Sequence, residues 1–206
     1  LLTGITLAKL EALRMQINRH FVFNTLNSIS SLIPENPKGA DEMIGLLSDL
    51  LRATLKASNQ QDVALSEELS YLTTYLAIQK VRFTDRIQVH LAIAPSTLPA
   101  RVPILILQPL VENAIRHGIE TTTIPGTVFI RSRQEQNTLW LEVENSGPGL
   151  MESCISPPGS GVGLSNIKSR LETLYGNLSG LDVEENVNGG VIARIHLPFS
   201  QTQDKK

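Results

Sequence analysis

Apolar residues recur with a helical period from Leu2 to Ile33, and the run ends at Pro34 in a turn written PENPKG. At roughly 100° per residue, Gln16, His20, Phe23, Asn24 and Asn27 share one side of this helix. Leu10, Leu13, Ile17 and Phe21 lie beside them, and Val22, Leu26, Ile29 and Ile33 form a separate apolar stripe. A second helix is predicted from Ala40 to Ala57, with Ile44, Leu47, Leu50, Leu51 and Leu55 on one side. A link of about four to six residues between them favours an antiparallel hairpin. Its apolar stripe is most readily covered by a second copy, which predicts a homodimeric four-helix bundle. The polar run SNQQDV, Ser58 to Val63, reads as a linker. Ser66 is the expected cap of a third helix running to about Phe83, with Glu67 and Glu68 in its first turn.

The pattern then changes period. Ile87, Val89, Leu91 and Ile93 alternate and mark a strand. Pro103 is read as the first residue of an apolar helix ending near His117. Further strands are expected at Val128–Ser132, Leu139–Glu144, Leu178–Glu184 and Val191–Leu197. A Gly/Pro/Ser-rich stretch from Ser146 to Gly163 leads into a helix from about Leu164 to Tyr175. These elements predict an antiparallel or mixed sheet with helices on one face. The chain thus divides into a helical hairpin, residues 1–60, and an α+β sandwich, residues 61–206.

Composition narrows the classes. A net charge of −2 leaves no basic excess for nucleic acid. Cys154 is the single cysteine, so no intrachain disulfide can form. The longest apolar run, Val102 to Val111, is interrupted by Pro103, Gln108 and Pro109 and is too short to span a bilayer. The chain starts at Leu1 and shows no signal-peptide pattern, so it reads as a piece of a longer protein with any sensor or membrane segment upstream.

Three stretches carry candidate chemistry. In LQPLVENAIRHG, Leu107 to Gly118, Asn113, Arg116 and His117 are spaced i, i+3 and i+4 and can face one site, with Glu112 beside them. An amide oxygen suits Mg²⁺, and Arg116 and His117 can meet phosphate. A solvated helix end with a glycine cap at Gly118 fits the same residues. In VENSGPGL, Val143 to Leu150, a strand runs into Gly147 and Gly149, a turn that a flat ring can approach. In GSGVGLSNIKSRL, Gly159 to Leu171, alternate glycines open a helix whose N–H groups can bind phosphate; a surface loop fits equally. The spacing matches neither a dinucleotide fold nor a P-loop.

The order of these stretches, closed by the Gly189–Gly190 pair, resembles the ATP-binding domain shared by gyrase, Hsp90, histidine kinases and MutL, the GHKL or Bergerat fold. Upstream, QINRHFVFNTLNSI is similar to the phosphoacceptor helix of LytS/YehU-type sensor histidine kinases, as are LSDLLR (Leu47–Arg52), YLAIQKVRF (Tyr75–Phe83) and LQPLVENAIRHG. The resemblance runs from about Leu7 to Pro198. It implies that His20 accepts phosphate from ATP and that Asn113 holds Mg²⁺. It places Arg116 and His117 near the phosphates, Asn145, Gly147 and Gly149 in the first glycine box, and Gly161, Gly163 and Leu164 in the second. It further implies a homodimer, a response-regulator receiver domain as phosphate acceptor, and a sensor or membrane domain upstream in the same chain. The core would be cytoplasmic and the full-length protein anchored in the inner membrane.

The sequence departs from the family pattern at named positions. Arg19 stands where proline commonly precedes the histidine, and Asn145 replaces the usual aspartate on the adenine side. Val191 follows the glycine pair where threonine is common, and Phe21 follows the histidine where many relatives carry a carboxylate. Glu112 is therefore the candidate base, and Asn24 a candidate for orienting a water that dephosphorylates the receiver. Transfer of phosphate from Mg-ATP to His20 and on to a receiver aspartate is the expected activity. A nucleotide-binding pseudokinase scaffold is the alternative, followed by a gyrase- or Hsp90-type ATPase or a serine-directed kinase. His90, His196, Trp140 and Cys154 are expected to have no chemical role.

Overall fold

The computed structural model describes residues 19–57, 60–120, 122–147, 162–187 and 189–201. Helix α1 spans Arg19–Glu35 and α2 spans Pro37–Ala57. The link between them is the single residue Asn36, not a four-to-six-residue turn. Pro37 needs no partner for a missing N–H, and the Asn36 side chain caps the new helix by accepting from the Gly39 N–H at 3.0 Å. The predicted apolar stripes divide. Phe21, Thr25 and Ile29 of α1 are buried, as are Met43, Leu47, Leu50 and Thr54 of α2. Phe23, Leu26 and Ile33, with Ile44 and Leu55, point outward and are exposed.

Strand β1, Asp62–Ala64, lies where the sequence suggested linker, and it pairs antiparallel with β3, Arg101–Pro103. Helix α3, Leu65–Phe83, follows at once and packs against α2. Ser66 does not cap it. The N–H groups of Leu65 and Ser66 instead donate to the carbonyls of Ala100 and Leu98, at 2.8 and 3.0 Å.

Strand β2, Ile87–Ile93, pairs parallel with β4, Gly126–Glu135. Strands β5 (Thr138–Asn145), β6 (Gly180–Glu185) and β7 (Val191–Pro198) complete a mixed five-stranded sheet in the order β2-β4-β5-β7-β6. Leu178 sits in a turn before β6, exposed, rather than opening the strand. The alternation of β4, β5 and β7 puts Val128, Ile130, Leu139, Leu141, Val143, Ile195 and Leu197 inside. Helices α4 (Gln108–Ile115) and α5 (Val162–Tyr175) contribute Leu110, Val111, Ile115, Ile167 and Leu171 to the same core. Each such side chain, fully buried, stabilises the fold by roughly 1.5–3 kcal/mol. The outer sheet face is polar. Arg131 pairs with Glu144 at 2.5 Å, Arg133 pairs with Glu142, and Trp140 lies 5.2 Å from the His196 ring.

Pro103 does not open a helix. It ends β3, whose pairing to Val63 outweighs the local proline signal. Residues 104–107 form a tight connection, with Leu105 at φ 55, and Pro109 is the proline in the first turn of α4.

Candidate functional site

Helix α4 turns Leu110, Val111, Ala114 and Ile115 inward, leaving Glu112, Asn113 and Arg116 partly exposed. Arg116 donates to the Asn113 amide oxygen at 3.2 Å, as their i, i+3 spacing allows. The helix does not end at a glycine cap. It widens into a π turn, Arg116–Glu120, with Gly118 and Ile119 buried. Gly118 is not among the glycines with positive φ, so the left-handed cap reading falls. What demands glycine there is Asn145: a Cβ on Gly118 would lie 2.3 Å from its side-chain amide.

Asn145 is the hub of this corner. It closes β5, is 2% exposed, and faces Val191 of β7 in the sheet register. Oriented by its neighbours, its amide donates to the Val191 carbonyl at 3.1 Å and accepts from the Gly147 N–H at 3.0 Å. A carboxylate could not do both, which gives asparagine a local reason to stand here. Two more glycines crowd the same point. A Cβ on Gly147 would meet the Gly118 backbone at 2.2 Å, and one on Gly190, at φ +89, would meet the Asn145 carbonyl at 1.8 Å. The glycines thus let three backbone segments touch. His117, in the π turn, has its pKa held below the ordinary range by burial and then by Arg116, with Glu120 opposing.

The approach to α4 is fixed by a residue that sequence reasoning assigned only to a helix dipole. Glu68 of α3 is 1% exposed and accepts from the N–H groups of Leu105 and Leu107 at 2.7 and 2.9 Å. Burial pushes its pKa up to about 7 against these bonds and the charge of Arg170. Arg170 comes from α5 and donates to the carbonyls of Ile104 and Gln61.

The other end of α4 meets the hairpin. Phe21 packs on the buried ring of Tyr75, with centroids 4.9 Å apart. The Tyr75 hydroxyl accepts from Gln79 at 2.7 Å, and Arg82, one turn on, pairs with Glu120 at 2.8 Å. Burial, then the charge of Glu112, raises the Tyr75 hydroxyl far above its usual range. A crevice opens between these groups, and Asn24, Glu112 and Arg116 line it too. Tyr75, Gln79 and Arg82 all belong to YLAIQKVRF, a motif without an assigned role in the sequence; the motif was the available signal, and only packing shows its targets.

The candidate residues therefore fall into groups. Asn113 and Arg116 touch; Asn145 and Gly147 crowd Gly118, and Gly190 crowds Asn145 from the other side; Asn24 and Glu112 share the crevice. Gly163 opens α5 with Pro109 as its nearest neighbour, a Cβ there lying 3.9 Å away, and Leu164 is half-buried. His20 lies in the first turn of α1, its side chain outside the described residues, as are Gly149, Gly161 and Cys154. Among the described residues no group of three His, Cys, Asp or Glu side chains could hold a metal.

Comparison with known proteins meets this geometry at both ends of the chain. The family described as "Histidine kinase" matches residues 8–87, and "Histidine kinase-, DNA gyrase B-, and HSP90-like ATPase" matches residues 100–201. The chain belongs to the histidine kinase family. Sensor histidine kinase BtsS of Escherichia coli is 35% identical over 195 residues, 95% of this chain and 34% of that protein. Sensor protein LytS of Oceanobacillus iheyensis is 33% identical over 203 residues, 93% of this chain and 34% of that protein. The chain thus spans about a third of the length of the curated relatives it matches. The histidine kinase domain of a blue-light activated kinase from Erythrobacter litoralis covers 93% of this chain, and 91% of that domain is matched, at TM-score 0.53 and 19% identity, which speaks to fold. A mycobacterial sensor histidine kinase, MprB, gives TM-score 0.51 at 20% identity over 68% of this chain and 98% of that one. Members of this family with the GHKL domain bind ATP, and the chain carries that domain. No described helix is long and apolar enough to cross a membrane.

Proposed function

We propose that this chain transfers the γ-phosphoryl group of Mg-ATP to His20 and then to an aspartate of a receiver domain. The observation that carries the reading is the joint match: the family described as histidine kinase over residues 8–87, followed by the GHKL-type ATPase domain over residues 100–201. The division of labour falls at residues 60/61, although α3, beyond that point, packs on both sides.

In the first step the lone-pair nitrogen of His20 forms the N–P bond. The bond to the β,γ-bridging oxygen breaks and its electron pair leaves with ADP; the proton on the other ring nitrogen is lost to a base. Catalysis is positioning and charge neutralisation. Glu112 is the base we assign, and Asn24 orients water when phosphate is removed. Asn113 offers one amide oxygen, already oriented by Arg116, and this suits an ion that keeps most of its water and binds phosphates. That ion, Mg²⁺, would be held by Asn113 and would offset the charge of the phosphates. Arg116 supplies positive charge, and His117, whose pKa burial and Arg116 lower, offers a ring N–H to phosphate. Gly147 and Gly149 border the adenine, and the second lone pair of the Asn145 amide oxygen accepts from its amine. Gly161, Gly163 and Leu164 supply main-chain N–H groups to the phosphates.

Phe23, Leu26, Ile33, Ile44 and Leu55, exposed on one hairpin, support pairing with a second copy. The relatives named as sensor proteins support a sensor domain upstream in the same chain; anchoring in the inner membrane, with this core in the cytoplasm, belongs to the same proposal. γ-Labelled ATP tests the reading. Wild type should acquire acid-labile, base-stable label, while His20→Gln and Asn113→Ala should not. Nucleotide binding with an unlabelled wild type would instead favour a pseudokinase scaffold.

A further inference from the structure

One chain brings its own ATP-domain helix to its own phosphoacceptor helix. Asn24 stands one turn after His20, and Glu112 immediately precedes Asn113; both line the same crevice. Helix α3 holds the two sides in register. Near its middle Tyr75 receives Phe21 at 4.9 Å, and two turns later Arg82 reaches Glu120 at 2.8 Å. Seven helical residues set those two contacts about 10 Å apart along a rigid rod. Arg86 reinforces the far side, donating to the Ile119 carbonyl at 3.0 Å. Asn113 lies about 100° round α4 from Glu112, so the face beside the crevice is the one that carries the proposed phosphate-binding residues.

We propose that transfer to His20 is intramolecular, and that the Arg82–Glu120 pair is a latch positioning α4 over the phosphoacceptor helix of the same chain. The proposal rests on the kinase reading above. Transfer to another copy would require the α3 contacts to part, since they join α1 and α4 within one polypeptide. In this proposal Arg82 and Glu120 act by holding α4 in place, as positioning residues.

The test uses two differently tagged copies, one His20→Gln and one Asn113→Ala, co-expressed and purified through both tags. With γ-labelled ATP, intramolecular transfer leaves both chains unlabelled. A wild-type copy paired with Asn113→Ala labels only the wild-type chain. Label on an Asn113→Ala chain overturns the proposal, because its phosphate can come only from the other copy. Should the tags not co-purify, the labelling rate per wild-type chain decides: constant on dilution supports the proposal, and proportional to concentration overturns it. Wild type that never labels means the kinase reading itself has failed. For the latch, Glu120→Gln should slow His20 labelling about fivefold, the scale of one partly exposed ion pair, with the KM for ATP unchanged. The swap Arg82→Glu with Glu120→Arg should restore the rate. A raised KM with an unchanged rate would remove the positioning role.

Discussion

The two ends of α4 are held by charges in opposite environments. Before its first turn, Glu68 at 1% exposure holds the Leu105 and Leu107 N–H groups in a dry pocket that water does not reach. After its last turn, Arg82 and Glu120, with side chains 20% and 22% exposed, pair where solvent still competes. A buried carboxylate bonded to backbone gives the connection one geometry, because releasing it strands buried donors. An ion pair that keeps some exposure contributes less than a fully buried one and is partly screened by salt, so it can open and close. The candidate chemistry, Asn113, Arg116 and His117, sits toward the second end.

The largest break should come at the dry end. Glu68→Ala leaves the Leu105 and Leu107 N–H groups unpaired and should cost about 4 kcal/mol in denaturant unfolding. Next comes Gly118→Ala, whose methyl would press on the Asn145 side chain; we expect a loss of about 3 kcal/mol and weaker nucleotide binding by calorimetry.

The dry end also carries a pH signature. The Glu68 carboxyl gives up its proton near 4.5 in the unfolded chain and near 7 when folded, so its contribution is fully present below pH 4.5 and is lost as pH rises to about 7. Wild-type stability should fall across that window relative to Glu68→Gln, by up to roughly 3 kcal/mol. Parallel curves for the two proteins would show that Glu68 does not titrate there. Smallest of all, Glu120→Ala should cost less than about 1 kcal/mol, and the difference should shrink in salt. A loss matching that of Glu68→Ala would erase the contrast between the two ends.

Sequence pattern reached most of the sheet, because apolar residues recur at alternate positions in β2, β4, β5 and β7, although only β4 alternates cleanly between core and surface and Leu91 of β2 stands exposed. It missed β1 and β3, whose three-residue spans are too short to show a period. It also chose the wrong proline: Pro103 and Pro109 both look like helix starts, and only the pairing of Val102 with Val63 separates them. At the candidate site, the i, i+3 contact of Asn113 with Arg116 was legible because it is local. The needs of Gly118 and Gly190 were not, because each answers to Asn145 from a different part of the chain. Tyr75, Gln79 and Arg82 were visible as a motif, but their partners Phe21 and Glu120 lie outside it.

The resting place of phosphate from ATP is the most direct test of the kinase reading. Wild-type protein incubated with Mg-ATP, digested and mapped by mass spectrometry under alkaline conditions should carry one phosphate on the peptide containing His20, at its imidazole. Phosphate on His117, on a serine, or on no residue while ATP is bound would contradict it.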